Sequence, residues 1–373
     1  MTGVATVSKH RFVFLDGLRG LAAIGVVLTH VAARQFPVLS GLYLLVDFFF
    51  VLSGFVLEPL MPIPGAPFWQ QARRFAFKRF IRFWPMVLIV LTFRVGTCGA
   101  WWLLGKPSDH FCGTMSAGSS SLSLLSAALL LQIFVPSSLI FSGPLWSLSA
   151  EWFANILVAP FTAVKSRLVL PGVVLGGYGL LAIGYVQRNS SEDLFVGPAA
   201  LGRAIVGFVL GLLLRKLYNG TQPRLSTSRL FISVLLVIGL FAYQRTPYPG
   251  ALLLAAPIFA FFVFQIACID QSRVKPRLVS LSQYLGLISF GVYAWHGNMR
   301  FLVATFESEE SLKPYATHSS LSVITIAVVV LVASTCATHL TIRWIETPIQ
   351  NRWGKRASQF SKPVDSTPET EGK

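Results

Sequence analysis

The sequence predicts an all-α integral membrane protein, a polytopic bundle of about ten transmembrane helices. Two features of its composition predict this fold class. Hydrophobic residues make up 54% of the 373 residues, and charged residues make up only 12%. Soluble domains carry about 25% charged residues, so this chain has too few polar side chains to cover a water-soluble surface. The third observation is that the apolar residues fall into runs long enough to cross a bilayer.

Eleven apolar stretches can be read along the chain, each near the length of about 20 helical residues that crosses a hydrocarbon core. Helices are predicted because a bilayer offers no water to unpaired backbone groups. The stretches cover residues 12–33, 42–60, 82–103, 122–138, 145–164, 169–187, 197–216, 229–246, 250–269, 283–304 and 319–344.

The positive charges indicate which loops are cytoplasmic, because Lys and Arg concentrate on that side of a membrane. The basic segments lie near residues 9–11, 73–82, 165–167, 215–229, 273–277 and 352–356. An even number of crossings keeps all of them on one side. Either segment 122–138 or segment 145–164 must then fail to cross fully. We expect this of 122–138, which is shorter and followed by Gly143 and Pro144, and which would be re-entrant or interfacial. Ten crossings remain, with both termini cytoplasmic.

The sequence indicates one domain with short ends. We expect residues 1–11 to be a cytoplasmic N-terminus, 12–350 to be the transmembrane domain, and 351–373 to be a disordered cytoplasmic tail. The net charge of +16 follows the loops, which argues against nucleic-acid binding and favours contact with anionic lipid headgroups. Cys98 and Cys112 flank one loop, and the sequence leaves open whether they pair. The cysteines form no metal motif.

Ionisable side chains inside the spans are few, and such residues are usually functional or paired. Arg19 and His30 are eleven positions apart, which places them on one face of the first helix, about 16 Å apart along its axis. Asp16 precedes Arg19 by three residues and can reach it. The other intramembrane ionisable candidates are Asp47, Glu151, Arg203 and His296.

The order of the spans places four of these residues at one depth, in the outer half of the membrane. They are His30, Asp47, Glu151 and His296. A histidine beside one or two carboxylates can serve as a general base whose tautomer and charge are set by its partner. We therefore expect Asp47 or Glu151 to orient His30.

A basic cluster lies at the cytoplasmic end of the third span. Arg79 and Arg82 are three residues apart and so share one helical face, beside Lys78. Arginine forks bind phosphate in a bidentate manner, which makes this cluster a candidate anion site. Basic residues at this position also act as a topology signal.

Together these residues resemble the acyltransferase 3 family of membrane acyltransferases, which modify sugars of surface polysaccharides and other acceptors. Arg19 and His30 match its R-x10-H motif, and residues 346–348 are similar to its closing E-x-P. Four further segments match in order: 47–55 (D-x-F-F-x-x-S-G-F), 79–85 (R-x-x-R-x-x-P), 146–151 (W-S-L-S-x-E) and 289–296 (S-Y-x-x-Y-x-x-H). Phe290 departs from the usual Tyr, and Gly297 stands where a bulky residue is common.

The resemblance implies a membrane O-acyltransferase that moves an acyl group, most simply acetyl, from cytoplasmic acyl-CoA to a hydroxyl. The acceptor would be a glycan, a lipid-linked sugar or a glycoside, and the location a bacterial inner membrane. Acyl-CoA would be a co-substrate, and no permanently bound cofactor or metal is implied. His30 would act as general base or carry the acyl group transiently. Asp47 and Glu151 would complete the catalytic group.

The resemblance also suggests a binding site for the donor. Arg79, Arg82, Lys78 and Arg19 would hold the nucleotide phosphates of acyl-CoA. Further site candidates are Asp16, Ser53, Trp146, Ser147, Arg203 and His296.

Two other functions also accommodate charges inside the membrane. A transporter or flippase for a polar lipid or metabolite predicts inverted repeats, and the sequence contains no evident repeat. A scaffold subunit of a polymer synthase predicts that Arg19 and His30 can be replaced without loss of function.

Overall fold

A computed structural model of the chain describes residues 12–104, 119–135, 143–187, 195–221, 223–243, 250–269, 274–306, 319–349 and 351–352. These residues contain eleven α-helices and no β-strand. The helices are α1 Val13–Ala32, α2 Leu45–Leu57, α3 Phe68–Leu103, α4 Ser119–Ala128, α5 Trp146–Thr162, α6 Val169–Gln187, α7 Gly197–Thr221, α8 Thr227–Tyr243, α9 Gly250–Ala267, α10 Pro276–Phe306 and α11 Ser320–Thr341.

The helices confirm the predicted fold class. Eight helical segments are long and apolar enough to cross a membrane. The other two predicted crossings correspond to α5 and α8, each of 17 residues. Large apolar side chains on the outside of the bundle, such as Leu175, Phe231 and Val332, are exposed, as expected for helices that face lipid.

The segment predicted to be re-entrant or interfacial forms a short helix. α4 has 10 residues, about 15 Å at the helical rise, which is half the thickness of a hydrocarbon core. Turns follow it from Leu129 to Phe134. The described part of this segment therefore does not cross the bilayer as a helix.

Glycines bring α1 and α10 into close contact. An added Cβ at Gly20 would lie 2.6 Å from Leu285 Cβ, and one at Gly286 would lie 2.6 Å from Asp16 Cβ. Small residues at helix interfaces in membranes allow backbones to approach in this way. Gly17 on α1 packs against Ser282 on α10, and His30, further along α1, packs against His296, further along α10, so the two helices run parallel. His30 and His296 therefore lie at the same level.

A second close contact joins α2 to α7, the most enclosed of the candidate spans, with 67% of its apolar window buried. An added Cβ at Gly211 would clash with the Val51 carbonyl oxygen, and one at Gly207 would lie 2.7 Å from Phe50 Cβ. This packing turns Asp47 on α2 towards Arg203 on α7.

The ends of two helices bear on the site. Cys98, in the last two turns of α3, is disulfide-bonded. Cys268 and Cys336 are free, and Cys112, whose pairing with Cys98 the sequence left open, lies outside the described residues. At the other end of the bundle, a π-helix, Ile342–Glu346, continues α11. π-Helices are rare and frequently lie at functional sites.

Candidate active site

A cavity of about 140 Å³ opens among α1, α2, α3, α5 and α10. Three arginines from two helices, Arg19, Arg79 and Arg82, lie in its wall, and the other charged residue of the lining is Glu151. Apolar side chains of α2 complete the wall. The polar residues that line it besides these four are Ser53, Ser147, Ser289 and Tyr293.

Arg79 and Glu151 form a largely buried ion pair in the wall of the cavity. Arg79 Nη2 donates to Glu151 Oε1, and Ser53 Oγ donates to the same oxygen at 2.6 Å. The guanidinium also lies over the Phe83 ring, 4.1 Å from its centroid. Arg79 Nε is buried without a hydrogen-bond partner in the described chain. The side chains are 11% and 17% exposed, and an ion pair withdrawn from solvent to this extent holds its geometry because either charge alone would be costly.

Arg82 lies at the more open side of the cavity. Its Nη1 is 3.5 Å from Glu346 Oε2, and its guanidinium lies 4.9 Å from the centroid of the Phe290 ring. The π-helix carries Glu346 to this position. Phe290, which departs from the resemblance noted above, therefore supports Arg82 by a cation–π contact.

Arg19 is held by α10. Its Nη2 donates to the Gly286 carbonyl at 2.6 Å, and its Nε donates to Ser289 Oγ at 2.9 Å. Asp16 Oδ1 lies 3.7 Å from the same guanidinium. The expected contact between Asp16 and Arg19 is thus confirmed.

Tyr293 closes the cavity one helical turn from His296. Its hydroxyl donates to the Pro144 carbonyl at 2.7 Å and lies 2.6 Å from Ser147 Oγ. An added Cβ at Gly297 would approach the Pro144 ring to 3.0 Å. A bulky residue is common at this position in the family that the sequence resembles. Glycine here leaves the space in which Pro144 packs.

His30 and His296 form a pair of imidazoles just beyond Tyr293. Their ring centroids are 5.0 Å apart, and the His296 ring lies 5.7 Å from the Tyr293 ring. His30 is exposed, whereas His296 is fully buried. The prediction that His296 lies at the depth of His30 is confirmed.

The prediction that Asp47 or Glu151 contacts His30 is wrong. Asp47 accepts two hydrogen bonds from Arg203, at 3.1 Å and 2.7 Å, and Glu151 is bound by Arg79. The Nδ1 of His30 lies instead 2.9 Å from the Val26 carbonyl oxygen. Glu151 also lies deeper than predicted, beside Ser53, which is six residues, about 9 Å, further along α2 than Asp47.

The remaining candidates divide between two places. Ser53 and Ser147 line the cavity. Trp146 instead packs on the Asp47–Arg203 pair, with its ring 5.3 Å from the Arg203 guanidinium. Lys78 is partly exposed, and it does not belong to the cavity wall formed by the described residues.

Three residues of this site were not among the predicted site residues. Tyr293, Ser289 and Glu346 lie in the segments that carry the resemblance, and that was the only signal for them. A serine or tyrosine inside an apolar span carries no charge, so it does not stand out by composition.

Comparison with known proteins identifies the family. The model of an acyltransferase domain family (Acyl_transf_3) matches residues 12–341, which is most of the chain. The chain belongs to this acyltransferase family. The resemblance inferred from the motifs is therefore confirmed, and the helices that carry the arginines and both histidines lie within the acyltransferase domain.

Individual relatives are distant. The O-acetyltransferase OatA of Staphylococcus aureus is 23% identical over 94% of this chain and 60% of its own length. A protein provisionally named membrane-bound transacylase BcsY, from Komagataeibacter xylinus, is 29% identical over 77% of this chain and 72% of its own. Protein 2 in the picA locus of Rhizobium radiobacter is 31% identical over 41% of this chain and 83% of its own.

This acyltransferase chain thus spans only about three fifths of the length of the staphylococcal relative. No solved structure matches it.

Proposed function

We propose that the protein is a membrane O-acyltransferase that moves an acyl group from acyl-CoA to a hydroxyl of a glycan, lipid-linked sugar or glycoside. The observation that carries this proposal is the arrangement along α1. An arginine-lined cavity surrounds Arg19, and an imidazole pair lies about 16 Å further along the same helix. One elongated donor can meet the arginines at one end and a histidine at the other.

The arginines supply the binding site for the donor phosphates. Arg19, Arg79 and Arg82 carry three positive charges, against Glu151 in the cavity wall and Glu346 at its side. Guanidinium groups bind phosphate oxygens through fixed pairs of N–H donors. Arg82, whose side chain is about a third exposed, is the arginine best placed to do so. Lys78, off the cavity, contributes only to the surrounding positive field.

The donor enters from the cytoplasm, and both termini lie on that side. Two features support this orientation. The basic segment 73–82 lies in the half of α3 that faces the arginine cavity, and basic segments favour the cytoplasm. Cys98 lies near the other end of α3 and is disulfide-bonded, a state that persists in oxidising compartments. The membrane is a bacterial inner membrane.

His30 deprotonates the acceptor hydroxyl, which then attacks the thioester carbonyl. A carbonyl oxygen only accepts hydrogen bonds, so His30 Nδ1 carries the hydrogen that it donates to Val26, and Nε2 keeps a lone pair for the acceptor proton. His30 is exposed, which gives an acceptor access to it. The buried aromatic wall around Tyr293 keeps water from the thioester.

Acetyl is the simplest acyl group for this site. The name of the staphylococcal relative, an O-acetyltransferase, agrees with this choice. We assign the acceptor as a hydroxyl compound because the proposed catalytic step removes a proton from a hydroxyl group.

The test is release of free CoA from acetyl-CoA by the purified protein in lipid, with a crude glycan extract as acceptor. Wild type should consume acetyl-CoA, and His30→Ala should lose that activity. His339→Ala is the matched control, because His339 stacks on Tyr284 away from the cavity and its loss leaves the site intact. No CoA release by wild type would refute the proposal and favour a transporter.

A further inference from the structure

His296 presents a buried nitrogen that has no partner. The side chain is 0% exposed, and its Nε2 makes no hydrogen bond within the described chain. Leaving a polar atom buried and unpaired is destabilising. Packing alone would be better served by an apolar side chain, so the imidazole requires another explanation.

The hydrogen bonds of the two histidines fix their tautomers. His296 Nδ1 donates to the Tyr293 carbonyl at 2.6 Å, and His30 Nδ1 donates to the Val26 carbonyl at 2.9 Å. Each neutral ring therefore keeps its lone pair on Nε2. At rest neither Nε2 can donate to the other, so the pair is two adjacent proton acceptors.

His296 lies between the proposed binding sites of the two substrates. Its ring lies 5.7 Å from Tyr293, which lines the arginine cavity, and 5.0 Å from His30, which is exposed. Two imidazoles at this spacing can bring ring nitrogens to hydrogen-bond distance. His296 is therefore the titratable group between the donor cavity and the base that meets the acceptor.

We propose that His296 is a second catalytic residue, which takes the acceptor proton from His30 and delivers it to the departing sulfur of CoA. This inference rests on the proposed function. The acceptor O–H bond breaks and its proton moves to His30 Nε2, while the oxygen forms a bond to the thioester carbon. The carbon–sulfur bond then breaks. The proton passes to His296 Nε2 and from there to the sulfur, so both histidines end neutral.

The relay removes a charge separation that the membrane interior opposes. Without it, the reaction would leave an imidazolium at His30 and a thiolate at the donor, in a medium where separated charges are costly. The carboxylates that could have stabilised the imidazolium are already bound, Asp47 by Arg203 and Glu151 by Arg79. The imidazole of His296 provides a proton path that the two carboxylates do not provide.

The test is His296→Asn, with CoA release from acetyl-CoA as the readout and water or glycan as acceptor. The Asn amide can still donate to the Tyr293 carbonyl, so the local fold is kept while the basic nitrogen is lost. We expect kcat to fall about 100-fold or more, the usual size of a general acid–base contribution, with KM for acetyl-CoA unchanged. Added imidazole should restore turnover to His296→Ala and not to His296→Phe, where the ring fills the space.

Three outcomes would overturn this assignment. The first is a kcat of His296→Asn equal to that of wild type. The second is a rise in KM for acetyl-CoA in His296→Asn by the same factor as its fall in kcat. The third is that added imidazole does not restore turnover to His296→Ala. Each is distinguishable from failure of the proposed function itself. If the proposed function is wrong, the wild-type protein releases no CoA, and the proton relay is refuted as well.

Discussion

The Asp47 carboxylate and the Arg203 guanidinium form a two-point ion pair, with Nε–Oδ1 at 3.1 Å and Nη2–Oδ2 at 2.7 Å. Their side chains are 1% and 0% exposed. The pair joins α2 to α7, and Trp146, at the start of α5, packs on it. Its place between three helices indicates that it holds the bundle together rather than taking part in acyl transfer.

Breaking this pair should destabilise the protein strongly. Arg203→Met leaves Asp47 as an uncompensated buried charge, and breaking a buried pair costs about 3–5 kcal/mol. Asp47→Asn combined with Arg203→Met should be less destabilised than Arg203→Met alone, since no charge is left unpaired. Thermal unfolding of the purified variants in detergent measures this. Equal melting temperatures for Arg203→Met and the double variant would show that the unpaired charge of Asp47 is not the cause of the destabilisation.

Arg82→Gln should raise KM for acetyl-CoA with little change in kcat. A hydrogen bond to a charged group contributes about 1.5–3 kcal/mol, which corresponds to roughly a ten-fold or larger rise in KM. Lys78→Gln is the matched control, because it removes the same charge nearby but off the cavity wall. Its KM should stay close to that of wild type. Equal rises for both variants would indicate a general field effect, and the cavity would lose its assigned role.

Glu346→Gln should have the opposite effect. Glu346 lies 3.5 Å from Arg82 and competes with donor phosphates for its guanidinium. The Arg82 side chain is about a third exposed, so the pair is worth little, about 0.2–1 kcal/mol. Neutralising it should lower KM for acetyl-CoA by a small factor. An increase in KM, measured in the same assay, would mean that Glu346 positions Arg82 instead of competing for it.

Gly20→Ala should separate α1 from α10 and disrupt the histidine pair. The added methyl would meet Leu285 Cβ and its carbonyl oxygen, both at 2.6 Å, and overpacking costs about 1–3 kcal/mol. Gly176→Ala is the control, because nothing lies within 4 Å of its added Cβ and alanine favours the helix. CoA release should fall in the first variant and persist in the second. Wild-type activity in Gly20→Ala would show that acyl transfer does not depend on the close approach of α1 to α10.

The sequence predicted the elements that depend on local pattern and chain order. Arg19 and His30 share a face of α1 because their spacing is close to three helical turns. The order of the spans placed His296 at the level of His30. Charge alternation required that segment 122–138 or segment 145–164 does not cross fully, and the shorter length of 122–138 decided between them.

The partners of Asp47 and Glu151 could not be predicted in this way. Span order gives the depth of a residue but not its direction around the bundle. That direction depends on how helices rotate against one another, and here Gly211 and Gly207 turn α2 towards α7. Asp47 meets Arg203 from 156 positions away along the chain, a pairing that no local pattern contains.

We propose that acyl-CoA enters from the cytoplasmic, arginine-lined side and reacts at His30. The most direct measurement is acetyl-CoA consumption by inside-out and right-side-out membrane vesicles that contain the protein, with His30→Ala vesicles as background. We expect inside-out vesicles to consume acetyl-CoA, and right-side-out vesicles to do so only after permeabilisation. Equal consumption by intact right-side-out vesicles would contradict it.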